Sequence, residues 1–253
     1  MKDSKTRFSD RVENYTKYRP GYPPQVLELL KTECGLTPDS LIADIGSGTG
    51  ISTRLFLDHH NTVYGVEPNA EMRAAAEAFL KDYPQFHSID ATAEQTHLPA
   101  DIIDFIIAGQ AFHWFQHDRT KQEFQRILKP QGWVVLIWNE RLVDTTPFLI
   151  AYEKMLLEFA TDYQQINHTN ITLAELEQFF DPHPIEHRTF PNHQIFDFPA
   201  LKGRLLSSSY CPNLGEAGYE EIMKRLQEIF EENQTEGKIM FEYKTTLYFG
   251  HVK

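Results

Sequence analysis

The chain has 253 residues, 41% of them hydrophobic and 24% charged, enough apolar material to bury one sizeable core. A formal net charge of -12 argues against a nucleic-acid partner, because neutralising phosphates requires a basic face. It leaves room for a local basic pocket, and so for a small anionic substrate.

The longest continuous apolar run, Trp133 to Trp138, is strand-sized, so no membrane span is expected. The opening Met1-Lys2-Asp3-Ser4-Lys5 continues polar, without the apolar stretch of a signal peptide. Cys34 and Cys211 provide neither a disulfide framework nor metal spacing, which points to a reducing, cytoplasmic setting.

Tyr15, Tyr18, Arg19, Pro20 and Tyr22 form a dense aromatic and basic patch ahead of the first strand. From Leu41 onward, short apolar runs alternate with amphipathic stretches, the pattern of a parallel sheet covered by helices on both faces. Strands are expected at Leu41 to Ile45, Thr62 to Val66, Gln85 to Ile89, Ile102 to Ala108 and Trp133 to Trp138. Between them lie a helix from about Ile51, one from Asn69 to Leu80 rich in Ala, Glu and Met, and one from Arg119 to Leu128. Lys129-Pro130-Gln131-Gly132 reads as the turn into the fifth strand.

Beyond Asn139 the rhythm changes. Thr146 with Pro147 opens a helix whose apolar face holds Phe148, Tyr152, Met155, Leu156 and Phe159. Thr172 and Glu175 make a capping box. Ile185 to Phe196 and Met240 to His251 alternate like strands, and helical stretches near Phe198 to Ser207 and Glu216 to Glu231 separate them. In the last of these, Tyr219, Ile222, Leu226, Ile229 and Phe230 form the buried face and the glutamates the solvated one. His183, His187 and His193 lack carboxylate or cysteine companions at ligand spacing, so no metal site is expected.

The segment Asp44-Ile45-Gly46-Ser47-Gly48-Thr49-Gly50 sits between a strand and a helix, where open α/β sheets bind ligands. Such glycines also occur in purely structural turns. Glu67 closes the next strand, where a carboxylate can accept both ribose hydroxyls of an adenosine, and the two features together favour a nucleoside ligand. The dinucleotide fingerprint G-x-G-x-x-G would require glycine at position 51, which is Ile51.

The D-x-G-x-G-x-G loop and Glu67 resemble the cofactor site of class I S-adenosylmethionine-dependent methyltransferases. The resemblance covers roughly Phe8 to Asn139 and returns at Met240 to His251. Ala91-Thr92-Ala93-Glu94 with Leu98-Pro99, Gln110-Ala111-Phe112-His113-Trp114-Phe115, and Arg126-Ile127-Leu128-Lys129-Pro130-Gln131-Gly132 are similar to the type 11, trans-aconitate-methyltransferase-like branch. Thr92 and Gln131 depart from that branch, where Asp and Gly are common.

This resemblance implies cofactor contacts from Asp44, Gly46, Ser47, Gly48, Gly50, Glu67, Pro68, Thr92, Ala93, Glu94, Gln110 and Ala111, with Tyr15 and Arg19 near the methionyl part. Tyr18, His113, Trp114 and Asn139 become candidates for the substrate pocket, and His113 for a catalytic role. Each has a plainer reading: the N-terminal tyrosines dock a helix, and His113 and Trp114 fill space behind the fourth strand.

The expected fold is α/β, a doubly wound, mostly parallel seven-stranded Rossmann-like sheet with a helical cap insertion. The chain is expected to form a single methyltransferase domain over 1–253. It comprises an N-terminal helical segment over the cofactor (1–40), a cofactor-binding core (41–139), substrate-cap helices with one sheet strand near 185–196 (140–235), and a final strand (238–253). The expected activity is methyl transfer from S-adenosyl-L-methionine to a small-molecule acceptor, a carboxylate being one class, without nucleic acid or membrane and as a monomer or weak dimer. The rivals are a non-catalytic nucleoside-binding or regulatory protein on the same fold, and a dinucleotide-dependent oxidoreductase.

Overall fold

A computed structural model describes residues 12–160, Tyr163 and 171–253. The first eleven residues of the expected 1–40 segment, and 161–162 and 164–170 within the expected cap, lie outside the described residues. The N-terminal part holds α1 (Val12–Tyr18) and α2 (Gln25–Cys34). The alternating part runs β1 (Leu41–Ile45), α3 (Ile51–Leu57), β2 (Thr62–Val66), α4 (Ala70–Phe79), β3 (Phe86–Ile89), β4 (Ile103–Gly109), α5 (His117–Ile127) and β5 (Leu128–Arg141). Then follow α6 (Pro147–Phe159), α7 (Leu173–Phe180), β6 (Ile185–Phe196), α8 (Phe198–Leu206), α9 (Tyr219–Asn233) and β7 (Ile239–Gly250).

Side-chain caps set several of these boundaries. Asn69 accepts the Met72 amide at 2.9 Å to start α4, and Thr146 accepts the Leu149 amide at 3.1 Å ahead of Pro147 in α6. Thr172 and Glu175 bond reciprocally at the head of α7, as the sequence predicts. α2 stops at Gly35, whose φ of +71° favours glycine.

The seven strands form one sheet in the order β3-β2-β1-β4-β5-β7-β6. β1 to β5 pair in parallel, whereas β7 runs antiparallel to both β5 and β6. The sheet is therefore mixed, which corrects the expectation of a mostly parallel one. Strand direction at that edge is set by partner choice, and the alternation of Ile239–Gly250 is the same in either direction. Lys129 to Gly132 is also no separate turn. It is an irregularity inside β5, where the register passes from Ile103–Leu128 to Phe105–Trp133.

Alternate residues of the central strands feed two layers. Ala43, Ile106, Ala108, Val134 and Leu136 meet Phe124, Ile127, Phe179 and Phe180 from α5 and α7. Ile42, Phe105, Ile107, Val135 and Ile137 meet Val26, Leu30, Phe56 and Leu80 on the other face. A third cluster joins α6, α8 and α9 through Leu149, Leu201, Leu205, Ile222 and Ile229 to Phe241 and Tyr243 of β7. α1 docks on α8 across Gly203, where an added Cβ would come within 2.1 Å of the Tyr18 ring. The strand order reverses between β1 and β4, which opens a crevice at their carboxyl ends.

Candidate active site

The chain leaves β1 through Gly46, Ser47, Gly48, Thr49 and Gly50 into α3. The amides of Gly46 and Ser47 both donate to the Val66 carbonyl, at 2.8 and 3.2 Å, which fastens the loop to the end of β2. Gly46 has φ +69°, and a Cβ there would lie 2.6 Å from that of Ala111. Gly48, at φ +55°, would meet only Met72 Sδ at 3.5 Å, so its backbone faces open space. A ligand can lie directly on that backbone.

Glu67, 8% exposed, closes β2. Its Oε2 accepts the Gly48 amide at 3.0 Å and its Oε1 the Asn69 amide at 2.9 Å. Each oxygen retains a lone pair for a further donor. Burial raises the Glu67 pKa, against the pull of those two amides and of Arg73. Asp44 lies behind the loop, fully buried, with Oδ2 accepting from Ser52 Oγ at 2.7 Å and Thr53 Oγ1 at 2.6 Å. Burial pushes its pKa up to about 6, although both hydroxyls act against the shift.

The loop and Glu67 open onto a cavity of about 640 Å³. Most of the sequence-predicted residues line it: Tyr15, Arg19, Gly46, Ser47, Gly48, Glu67, Pro68, Thr92, Ala93, Glu94, Gln110, Ala111, His113, Trp114 and Asn139. Asp44, Gly50 and Tyr18 do not. Asp44 braces α3 from behind, a Cβ on Gly50 would press within 2.7 Å of Leu80, and Tyr18 is spent on docking α1 against Gly203.

The remaining wall residues are positioned by the core. Glu123 of α5 accepts the Thr96 amide at 2.8 Å and is paired with Arg126, which steadies the segment after β3. Gln110 turns with φ +58° and gives its side-chain amide to the Asn139 carbonyl at 3.1 Å. Asn139 itself donates to the Gly21 carbonyl at 3.1 Å and accepts from Thr245 Oγ1 at 2.6 Å, so it ties the N-terminal segment to β5 and β7.

The far wall holds residues that the sequence reading missed: Arg141, Glu153, Tyr163, Arg204 and Tyr210. Arg141 is paired with Glu153 and donates to Tyr163 Oη at 2.8 Å. Arg204 donates to Tyr243 Oη and Ser208 Oγ, both at 3.1 Å. One signal for Arg204 was present: it shares a helical stripe with the buried Leu201 and Leu205, where a charge is out of place without a purpose. The cavity thus has an acidic end at Glu67 and a basic end at Arg19, Arg141 and Arg204.

Residues 43–136 match the sequence profile of a methyltransferase domain. An uncharacterised methyltransferase-like protein of Schizosaccharomyces pombe is 28% identical over 90% of this chain and 86% of its own length. An uncharacterised methyltransferase of Mycobacterium tuberculosis is 31% identical over 55% of each chain. A second from Schizosaccharomyces pombe is 31% identical over 53% of each, so this chain spans about half the length of these two relatives.

Among solved structures, one from Anaeromyxobacter dehalogenans, provisionally described as a type II methyltransferase, superposes with a TM-score of 0.70 at 21% identity, covering 93% of this chain and 98% of that one. Phosphoethanolamine N-methyltransferase 2 of Haemonchus contortus, bound to phosphomonomethylethanolamine and S-adenosylhomocysteine, superposes with a TM-score of 0.57 at 14% identity, covering 98% of this chain and 58% of that one. At such identities the likeness is one of fold. Loop, carboxylate and sheet order resemble those of class I S-adenosylmethionine-dependent methyltransferases, and residues 43–136 carry the methyltransferase-domain profile. The chain is a methyltransferase, and S-adenosylmethionine is its cofactor.

Proposed function

We propose that this enzyme methylates a small-molecule acceptor bearing a carboxylate, and that it stands nearest the trans-aconitate-methyltransferase-like branch. The observation that carries the reading is a cavity of about 640 Å³ whose walls include both the glycine loop and three guanidinium groups. That volume lies within the range of small-molecule sites. The helices α6, α8 and α9 act as the cap that shapes the acceptor end. The reading is of one domain, working in the cytoplasm without nucleic acid or membrane, as a monomer or weak dimer.

When bound, S-adenosylmethionine supplies a methyl group already activated on a sulfonium. The residues of the chain therefore need to bind, orient and exclude water. Glu67 accepts the ribose hydroxyls, and the open backbone at Gly48 lets the nucleoside approach. Thr92, Ala93 and Glu94 face the adenine, and Tyr15 and Arg19 face the methionyl part. Gln110 and Ala111 border the middle of the cavity. Trp114 and Tyr210 supply apolar surface that keeps water from the acceptor. A carboxylate is ionised at neutral pH and has no proton to lose, so His113 serves as wall or hydrogen-bond donor.

A panel of small acids, phenols and amines incubated with methyl-labelled S-adenosylmethionine tests the proposal. Label is expected in a carboxylic acid as its methyl ester. Label confined to phenols, amines or macromolecules overturns it.

A further inference from the structure

The three arginines at the basic end differ in how their charge is met. Arg141 has Glu153. Arg19 donates through Nη2 to the Ser207 carbonyl at 3.0 Å and lies 4.8 Å from the Tyr15 ring centre, with no carboxylate partner among the described residues. Arg204 is 5% exposed, and its bonds go to neutral hydroxyls of Tyr243 and Ser208. Its guanidinium also lies over the rings of Phe241 and Tyr243, 5.5 and 6.0 Å from their centres. Among the described residues no acid pairs with it, and its Nη2 makes no hydrogen bond.

A buried guanidinium held only by neutral groups is poorly compensated, and a second cation nearby makes this worse. Both uncompensated groups line the cavity, where a ligand can supply the missing charge. S-adenosylmethionine brings one carboxylate, enough for one of the two. Arg19 belongs to the N-terminal segment assigned to the methionyl part, which leaves Arg204.

A carboxylate held in charge-assisted bonds by a guanidinium has part of its negative charge neutralised, which makes it a weaker nucleophile than a free one. The group on Arg204 is therefore not the group that receives the methyl. Resting on the proposed function, we infer that Arg204 determines acceptor specificity by binding an acid group of the acceptor, carboxylate or phosphate, that stands apart from the atom methylated. The acceptor then has at least two functional groups, one anchored and one reactive.

The test is calorimetry on the full chain saturated with S-adenosylhomocysteine, using succinate, citrate and inorganic phosphate as probes and succinamide as the neutral control. At least one anion is expected to bind and succinamide is not. Binding of the carboxylates alone identifies a carboxylate anchor, and binding of phosphate alone a phosphate ester. In Arg204→Met the anion should bind about tenfold to a hundredfold more weakly, with the affinity for S-adenosylhomocysteine unchanged. Arg204→Lys keeps the charge but loses the planar fork, so anion affinity should fall to an intermediate value. That variant carries the test should Arg204→Met fail to fold. Anion binding that survives both substitutions, or that is absent from the wild type, overturns the inference. So does a folded Arg204→Met with weakened cofactor affinity, because Arg204 would then serve the cofactor. Wild-type protein that does not bind S-adenosylhomocysteine contradicts the proposed function itself, a failure visible before any anion is added.

Discussion

Asp44 combines a buried carboxylate with two short hydroxyl bonds on one oxygen, Oδ2. Its pKa rises from an ordinary 3.8 to about 6 in the fold. Between these values the native state holds a proton that the unfolded chain has released. The stability contributed by this group is full below about pH 4 and lost as pH rises through about 6. Thermal unfolding of Asp44→Asn should therefore decline less steeply than wild type between pH 4 and 6, and equal slopes would contradict the assignment. At His113 the proposed carboxylate acceptor predicts that His113→Ala keeps much of the turnover. A phenol or amine acceptor would instead need a base, typically worth about 10²–10⁴-fold. A limb in kcat/KM near pH ~6.5 that vanishes in the variant with a loss of that size would exclude a carboxylate. Arg204 shows what was hard to read at this scale: a cation on an apolar stripe is conspicuous, but its approach to Arg19 from a distant part of the chain has no local pattern.

Among the elements, the α1–α8 contact positions one wall of the site. Tyr18 packs on Gly203, and the neighbouring Tyr15 and Arg19 line the cavity. Gly203→Ala would put a methyl within 2.1 Å of the Tyr18 ring and displace α1. Cofactor affinity is expected to fall several-fold while far-ultraviolet circular dichroism stays native; unchanged affinity would show that α1 does not wall the cofactor. Gly46→Ala combines left-handed backbone with a 2.6 Å approach to Ala111 Cβ. It should weaken cofactor binding and lower stability by about 1–3 kcal/mol, measured by calorimetry and urea unfolding; wild-type values for both would mean that the loop accommodates a side chain. The elements themselves were largely legible. β1, β2 and β6 have the bounds that alternation and turn residues indicate, and the caps at Thr146 and Thr172 form as expected. Lys129-Pro130-Gln131-Gly132 has the composition of a turn, yet pairing of Leu128 with Ile103 keeps it within β5. Cross-strand pairing overrides local preference there.

The whole molecule unites its two ends of charge through strand order. β1 and β4 are neighbours, so the glycine loop faces the Gln110–Ala111 segment, and β5 and β7 carry Arg141 and Tyr243 toward the other end. Sequence periodicity supports the parallel half, because strands buried on both faces read as apolar runs. It could not give the direction of β7 or the meeting of β5, α6 and α8 around a cavity, which depend on contacts between distant segments. The central claim is that this cavity holds S-adenosylmethionine with its ribose on Glu67. Titration of S-adenosylhomocysteine and NAD into wild type and Glu67→Gln tests it most directly. S-adenosylhomocysteine should bind the wild type and NAD should not, and the folded variant should bind S-adenosylhomocysteine about tenfold more weakly or worse, since hydrogen bonds to a charged group are worth roughly 1.5–3 kcal/mol. Tighter binding of NAD, or an unchanged affinity in Glu67→Gln, would contradict the account.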